Sequence, residues 1–183
     1  MKNTNHSLFD KYEMIKDLGT GSSGSVTLVR HISMDQERAL KKVPKASAFA
    51  ESALSEARLL KSLEHPSIPR IFDFEEDDAF YYIVEEYIDG ETLDSFLLHQ
   101  QLISPGLFFN ICEQLCNVFI YLHTQISTPI IYRDLKPEHI IVCHNKLKLI
   151  DFGVSAYVIQ DGNNFNHYGN CLLYTSDAAD EED

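Results

Sequence analysis

The chain has 183 residues, with 15 basic and 28 acidic side chains and a formal net charge of −13. Hydrophobic residues at 44% and charged residues at 23% are ordinary globular proportions, which argues against a disordered chain, a collagen-like repeat or a disulfide-dense miniprotein. A pI near 4.9 without a basic stripe makes nucleic acid or an acidic membrane surface a poor first partner.

In chain order, residues 12–18 and 26–30 are β-rich runs flanking a glycine cluster, which predicts a hairpin. Residues 38–43 read as a third strand ended by Pro44, and the alanine-, leucine- and glutamate-rich run 46–63 as a helix stopped by the sequence HPSIP. Two more strands are expected at 68–74 and 80–87, joined by an acidic turn at 75–79. Asp89 and Gly90 mark a turn and a hinge. Beyond it, 92–99 predicts a short helix and 107–123 a longer one, with Phe108, Ile111, Leu115, Val118, Phe119 and Leu122 at helical spacing. Short strands at 140–142 and 146–150 bracket Asn145. The order predicts an α+β chain, a small sheet domain ahead of a helical one.

No apolar run approaches the ~20 residues that span a bilayer, and the first ten residues carry no signal-peptide core. Cys112, Cys116, Cys143 and Cys171 form no CxxC pair and read as reduced thiols, so a cytoplasmic protein is expected. The last 13 residues, CLLYTSDAADEED, hold five acids, no base and no periodicity. They resemble a translated sequencing adapter, with a genuine acidic tail as the alternative, and are set apart from the fold.

Three features carry chemistry. Gly19, Gly21, Gly24 and Val26 fit GxGxxGxV between two strands, where bare backbone can approach a polyphosphate and offer it N–H groups. The chain continues as strand after the glycines and lacks GK[ST], which excludes a Rossmann turn and a Walker loop. Glu56 shares a helix face with Phe49, Ala53, Leu59, Leu60 and Leu63, a costly place for a carboxylate unless a cation meets it. Lys41 on the preceding strand is the candidate, its neighbour Lys42 pointing the other way. The alternative is a Glu56 solvated at the rim. Finally, Tyr132-Arg-Asp-Leu-Lys-Pro-Glu-His139 is followed by Asp151-Phe-Gly153.

With the glycine motif, the Ala39-x-Lys41 strand, the helix glutamate Glu56, the Tyr132–Glu138 run and Asp151-Phe-Gly153 in that order, the chain resembles the eukaryotic-type serine/threonine protein kinases from Tyr12 to about Asn170. The resemblance implies a five-stranded antiparallel N-lobe sheet with its helix over 12–88 and a truncated, mainly helical C-lobe over 89–170, with tails at 1–11 and 171–183. It also implies ATP, magnesium and a protein substrate bearing serine or threonine. Gly19, Gly21 and Gly24 would cover the phosphates. Lys41, positioned by Glu56, would hold the α- and β-phosphates. Val26, Ala39 and Ile141 would sandwich the adenine, and the backbone of Glu86 and Ile88 would bond its edge. Asp134 would accept the hydroxyl proton, Lys136 would neutralise the moving phosphoryl group, and Asp151 would bind the metal. Arg133 would receive a phosphate on an activation segment.

The sequence departs from that pattern in four places. His139 replaces the asparagine that helps hold magnesium; an imidazole ligand would shift the preference toward manganese, whereas a ring turned away would leave Asp151 and water to hold one ion. Tyr132 replaces a histidine that packs behind the DFG phenylalanine. Glu85, at the back of the adenine pocket, would accept from the adenine amino group or compete for Lys41. The sequence also ends soon after DFG, so the activation segment and later helices that the resemblance requires are expected beyond it, and the 183 residues alone are expected to be weak catalysts with apolar helix surface uncovered. The competing expectation is a pseudokinase or ATP-binding scaffold, motivated by His139 and Tyr132.

Overall fold

A computed structural model describes residues 8–21, 24–99 and 103–157. These form two compact units: 8–64 with 69–88, and 65–68 with 89–157.

The first unit runs α1 (Leu8–Lys11), β1 (Tyr12–Gly21), β2 (Gly24–His31), β3 (Gln36–Pro44), α2 (Ala50–Lys61), β4 (Ile71–Glu76) and β5 (Phe80–Glu86). The strands pair antiparallel in the order β1-β2-β3-β5-β4. Strand alternation divides the side chains between two faces. Val29, Leu40, Tyr82 and Val84 pack with Leu8 and Tyr12, while Val43 and Ile83 pack with Ala53 and Ala57 of α2. Lys41 therefore projects on the α2 face. Lys42 projects on the other, its Nζ 4.0 Å from the centroid of the Phe80 ring.

Residues 8–11, expected as tail, are instead a helical turn fastened to the sheet. Leu8 is fully buried, its N–H donates to Glu75 Oε2 at 2.7 Å, and Lys11 Nζ meets Asp73 Oδ2 at 2.8 Å. Helix α2 begins four residues later than expected. After Pro44 the chain first makes turns, with Ser47 N–H donating to Pro44 O and Ala50 N–H to Ser47 O. Phe49 becomes the N-cap and is 45% exposed, so it leaves the buried stripe.

The second unit contains β6 (Glu91–Thr92), α3 (Leu93–His99), α4 (Pro105–Ile120), a π-helical turn (Tyr121–Gln125), β7 (Ile130–Ile131), a 3-10 turn (Pro137–His139), β8 (Ile140–Cys143), β9 (Lys146–Leu149) and β10 (Ala156–Tyr157). β6, β8 and β9 form one small sheet, and β7 pairs with β10. Helix α4 starts where Ser104 Oγ accepts from Leu107 N–H at 3.2 Å with Pro105 in the first turn, a favourable capping arrangement. Its amide Gln114 then clamps the β8–β9 hairpin, donating to Asn145 O at 2.9 Å and accepting from Leu147 N–H at 3.0 Å. At the hairpin tip His144 and Asn145 both take positive φ, 47° and 64°, as a tight two-residue loop requires.

Strand β4 starts at Ile71, not at 68, because 65–68 belongs to the second unit. Leu149 N–H donates to Ser67 O at 2.8 Å, Lys148 Nζ to Ile68 O at 3.4 Å, and the His65 ring lies 5.0 Å from that of Tyr121. Among the described residues no helix is long and apolar enough to cross a membrane, and Cys112, Cys116 and Cys143 are free thiols. The proposed tail at 171–183, with Cys171, lies outside the described residues.

Candidate active site

In the first unit, β1 and β2 carry the glycine motif in register, Gly21 opposite Gly24 and Gly19 opposite Val26. An added Cβ would meet nothing within 4 Å at Gly19 or Gly21, so the surface there is bare backbone of the kind a polyphosphate can approach. Val26 in turn lies opposite Lys41. Lys41 Nζ donates to Glu56 Oε2 at 2.6 Å, and Glu56 is 7% exposed. The carboxylate on the apolar helix face thus has its cation, and the solvated-rim alternative falls. Ala39, 7% exposed, stands opposite Glu85 on β5, which places Glu85 on the same sheet face as Lys41. Glu86 N–H donates to Arg70 O at 2.9 Å; Ile88 follows the end of β5 outside regular structure.

In the second unit the segment after β7 brings four polar side chains together. Asp134 Oδ2 lies 3.3 Å from Lys136 Nζ and 3.3 Å from His139 Nδ1, which also lies 3.1 Å from Asp134 O. His139 Nε2 faces Asp151 Oδ2 at 3.3 Å. The imidazole is not turned away: it is 9% exposed and fixed by its backbone, His139 N–H donating to Lys136 O and Ile150 N–H donating to His139 O. Asp151 Oδ1 accepts from Gly153 N–H at 3.2 Å. Arg133 and Asp151 hold left-handed backbone, φ 71° and 61°, costing of order 1–2 kcal/mol each for non-glycine residues. That strain is borne by the residues that aim the cluster. Ile141 pairs with Lys148 on β9 and Thr92 on β6.

Tyr132 supports this cluster from beneath. It is 2% exposed, its hydroxyl donates to Ile150 O, and its ring meets Phe152 edge-on at 5.0 Å. The histidine-to-tyrosine change is accommodated by a hydrogen bond to the residue just before Asp151, a role the sequence motif does not announce.

No three histidine, cysteine or carboxylate side chains among the described residues surround a common metal position. What the chain offers is the carboxylate of Asp151, its side chain about half exposed. Magnesium fits such a set, since it commonly takes one or two protein carboxylates and completes its octahedron with substrate phosphates and water.

The protein kinase domain family matches residues 12–177. Similar proteins include the serine/threonine-protein kinase PrkC of Bacillus subtilis, 32% identical over 80% of this chain and 23% of its own length. Calcium-dependent protein kinase 4 of Plasmodium falciparum is 34% identical over 86% of this chain and 31% of its own. The serine/threonine-protein kinase ppk25 of Schizosaccharomyces pombe is 34% identical over 80% and 35%. The chain belongs to the protein kinase family, and its five-stranded antiparallel sheet with α2 is that family's N-lobe. It spans about a quarter to a third of the length of these curated relatives.

Proposed function

We propose that this domain transfers the terminal phosphoryl group of ATP to serine and threonine hydroxyls of protein substrates, with a divalent cation. The observation that carries the reading is the buried 2.6 Å pair of Lys41 and Glu56, in a chain whose Asp134 carboxylate also has Lys136 at 3.3 Å. The nucleotide and its ion supply the reactive phosphoryl group and most of the charge neutralisation; the protein positions and moves one proton. Backbone N–H groups around Gly19, Gly21 and Gly24 meet the phosphates, and Lys41, oriented by Glu56, pairs with the α- and β-phosphates. Val26, Ala39 and Ile141 flank the adenine. The backbone of Glu86 and Ile88 meets its edge, with Glu86 using its carbonyl because its N–H is given to Arg70 O.

Asp134 accepts the substrate hydroxyl proton as the oxygen attacks, and Lys136 offsets charge on the transferred group. Asp151 takes the ion; magnesium suits it, and manganese would bind the same oxygens. We place the domain in the cytoplasm, where Cys112, Cys116 and Cys143, the free thiols among the described residues, would stay reduced. The relatives named here are all kinases and every charged catalytic side chain is retained, so the scaffold alternative gains no support.

The test is phosphotransfer to serine/threonine protein substrates beside nucleotide binding. Asp134→Asn is expected to lower transfer by about 10²–10⁴-fold with nucleotide affinity little changed. Lys41→Met is expected to weaken nucleotide binding itself. Transfer undiminished by Asp134→Asn would refute the assignment of the base.

A further inference from the structure

Val26 stands opposite Lys41 and Ala39 opposite Glu85 in the paired strands, and strand alternation puts all four side chains on one face of the sheet. On that face Lys41 Nζ donates to Glu56 Oε2 at 2.6 Å, so the lysine has its positioning carboxylate in α2. Glu85 is a different matter. It lies half-buried, in register between Ala39 on β3 and Ile71 on β4, and neither flanking side chain carries a polar atom. A carboxylate in such surroundings accepts a hydrogen bond strongly, because water competes for it less than at an open surface. Next along β5, Glu86 N–H is given to Arg70 O at 2.9 Å, so what Glu86 offers a ligand is its carbonyl. Two consecutive residues thus present acceptors.

We propose that Glu85 makes the nucleotide site select 6-aminopurines over 6-oxopurines. The inference rests on the kinase reading above, which sets the base against Ala39 and the Glu86 backbone, and deepens it by naming what the site rejects. An exocyclic amino group has two hydrogens, one for the Glu86 carbonyl and one for the Glu85 carboxylate. A 6-oxo group has only lone pairs there and would meet two acceptors, a repulsion added to the lost hydrogen bonds. Glu85 is therefore a specificity-determining residue. It reads the base and has no part in moving the phosphoryl group.

The experiment measures equilibrium binding of ATP and of inosine triphosphate, each with magnesium, to the 183-residue chain and to two variants. The wild type is expected to bind ATP about 10–100-fold more tightly, the range for a hydrogen bond to a charged group. In Glu85→Gln the amide can turn its NH₂ toward a 6-oxo group, so inosine triphosphate should gain and the ratio shrink. In Glu85→Leu, ATP should lose its charged acceptor and the ratio shrink again. The ratio cancels any general loss of folding and any repulsion between Glu85 and the phosphates, which act on both nucleotides alike. A wild type that binds the two equally, or a ratio unchanged in either variant, would overturn the role of Glu85. A wild type that binds neither would instead overturn the kinase reading beneath it.

Discussion

An added Cβ at Gly24 would lie 2.1 Å from Lys42 O, and the backbone there has φ 134°, whereas Gly19 and Gly21 have open space around them. The third glycine is thus demanded by the fold, where the start of β2 runs close beside the backbone of its neighbour β3, and the first two are not. Gly24→Ala is expected to destabilise the protein by about 2 kcal/mol or more, through strain and a backbone clash that flexible side chains cannot relieve. Gly21→Ala should leave the melting temperature nearly unchanged and weaken nucleotide affinity. Thermal melts with and without nucleotide check both, and equal losses of stability would refute the distinction. A similar division separates the charged residues. The partner of Glu56 was readable because a single acid on an apolar helix face needs a cation and strand parity leaves Lys41, not Lys42, to meet it. The orientation of His139 was not, because it depends on where the fold puts Asp151, twelve residues on.

At the scale of elements, the long strands and helices follow from periodicity and from proline and glycine stops. The pieces that escaped, β6, β7 and β10, have two residues each and too little sequence to show a pattern. The late start of α2 escaped for another reason: 46–49 have helix-compatible side chains, and the turns after Pro44 are fixed by backbone hydrogen bonds. The segment 65–68 was read as loop and strand, yet its environment gives it a measurable signature. Burial, aided by Lys148, lowers the His65 pKa from its ordinary value, and its Nδ1 accepts from Ser67 N–H at 3.1 Å. The neutral ring is the folded form. As pH falls below about 6.5 the unfolded chain takes up the proton first, so stability should drop with falling pH across this window and level off once the folded form also titrates. Urea midpoints measured between pH 8 and 5 should show this slope, and His65→Asn should flatten it. A slope that persists in His65→Asn would assign it to another group.

For the molecule as a whole, helix α4 leaves several large apolar side chains exposed. Val118 is its buried residue, while Phe108 and Phe109 are 53% and 68% exposed and Ile120 is 50% exposed. Both the apolar spacing of 107–123 and the exposure of part of that stripe were legible in the sequence. A net charge of −13 opposes association through such a face, and salt screens that repulsion. Light scattering is therefore expected to rise with ionic strength. Phe109→Lys should suppress the rise without lowering the melting temperature, since the ring it removes is mostly in water. Scattering indifferent to this substitution would place the association elsewhere.

The passage of 65–68 into the second unit bears on how the protein can be dissected. A polypeptide beginning at residue 89 would keep β9 but lose the Ser67 carbonyl that receives Leu149 N–H and the Ile68 carbonyl that receives Lys148. Leu149 is fully buried, two residues before Asp151, so its amide would be orphaned in the interior close in sequence to the site. Expressing that half alone would remove a strut that the chain lays down before it reaches the half it supports; a piece meant to stand by itself must be supplied with the HPSI peptide or a graft that imitates it.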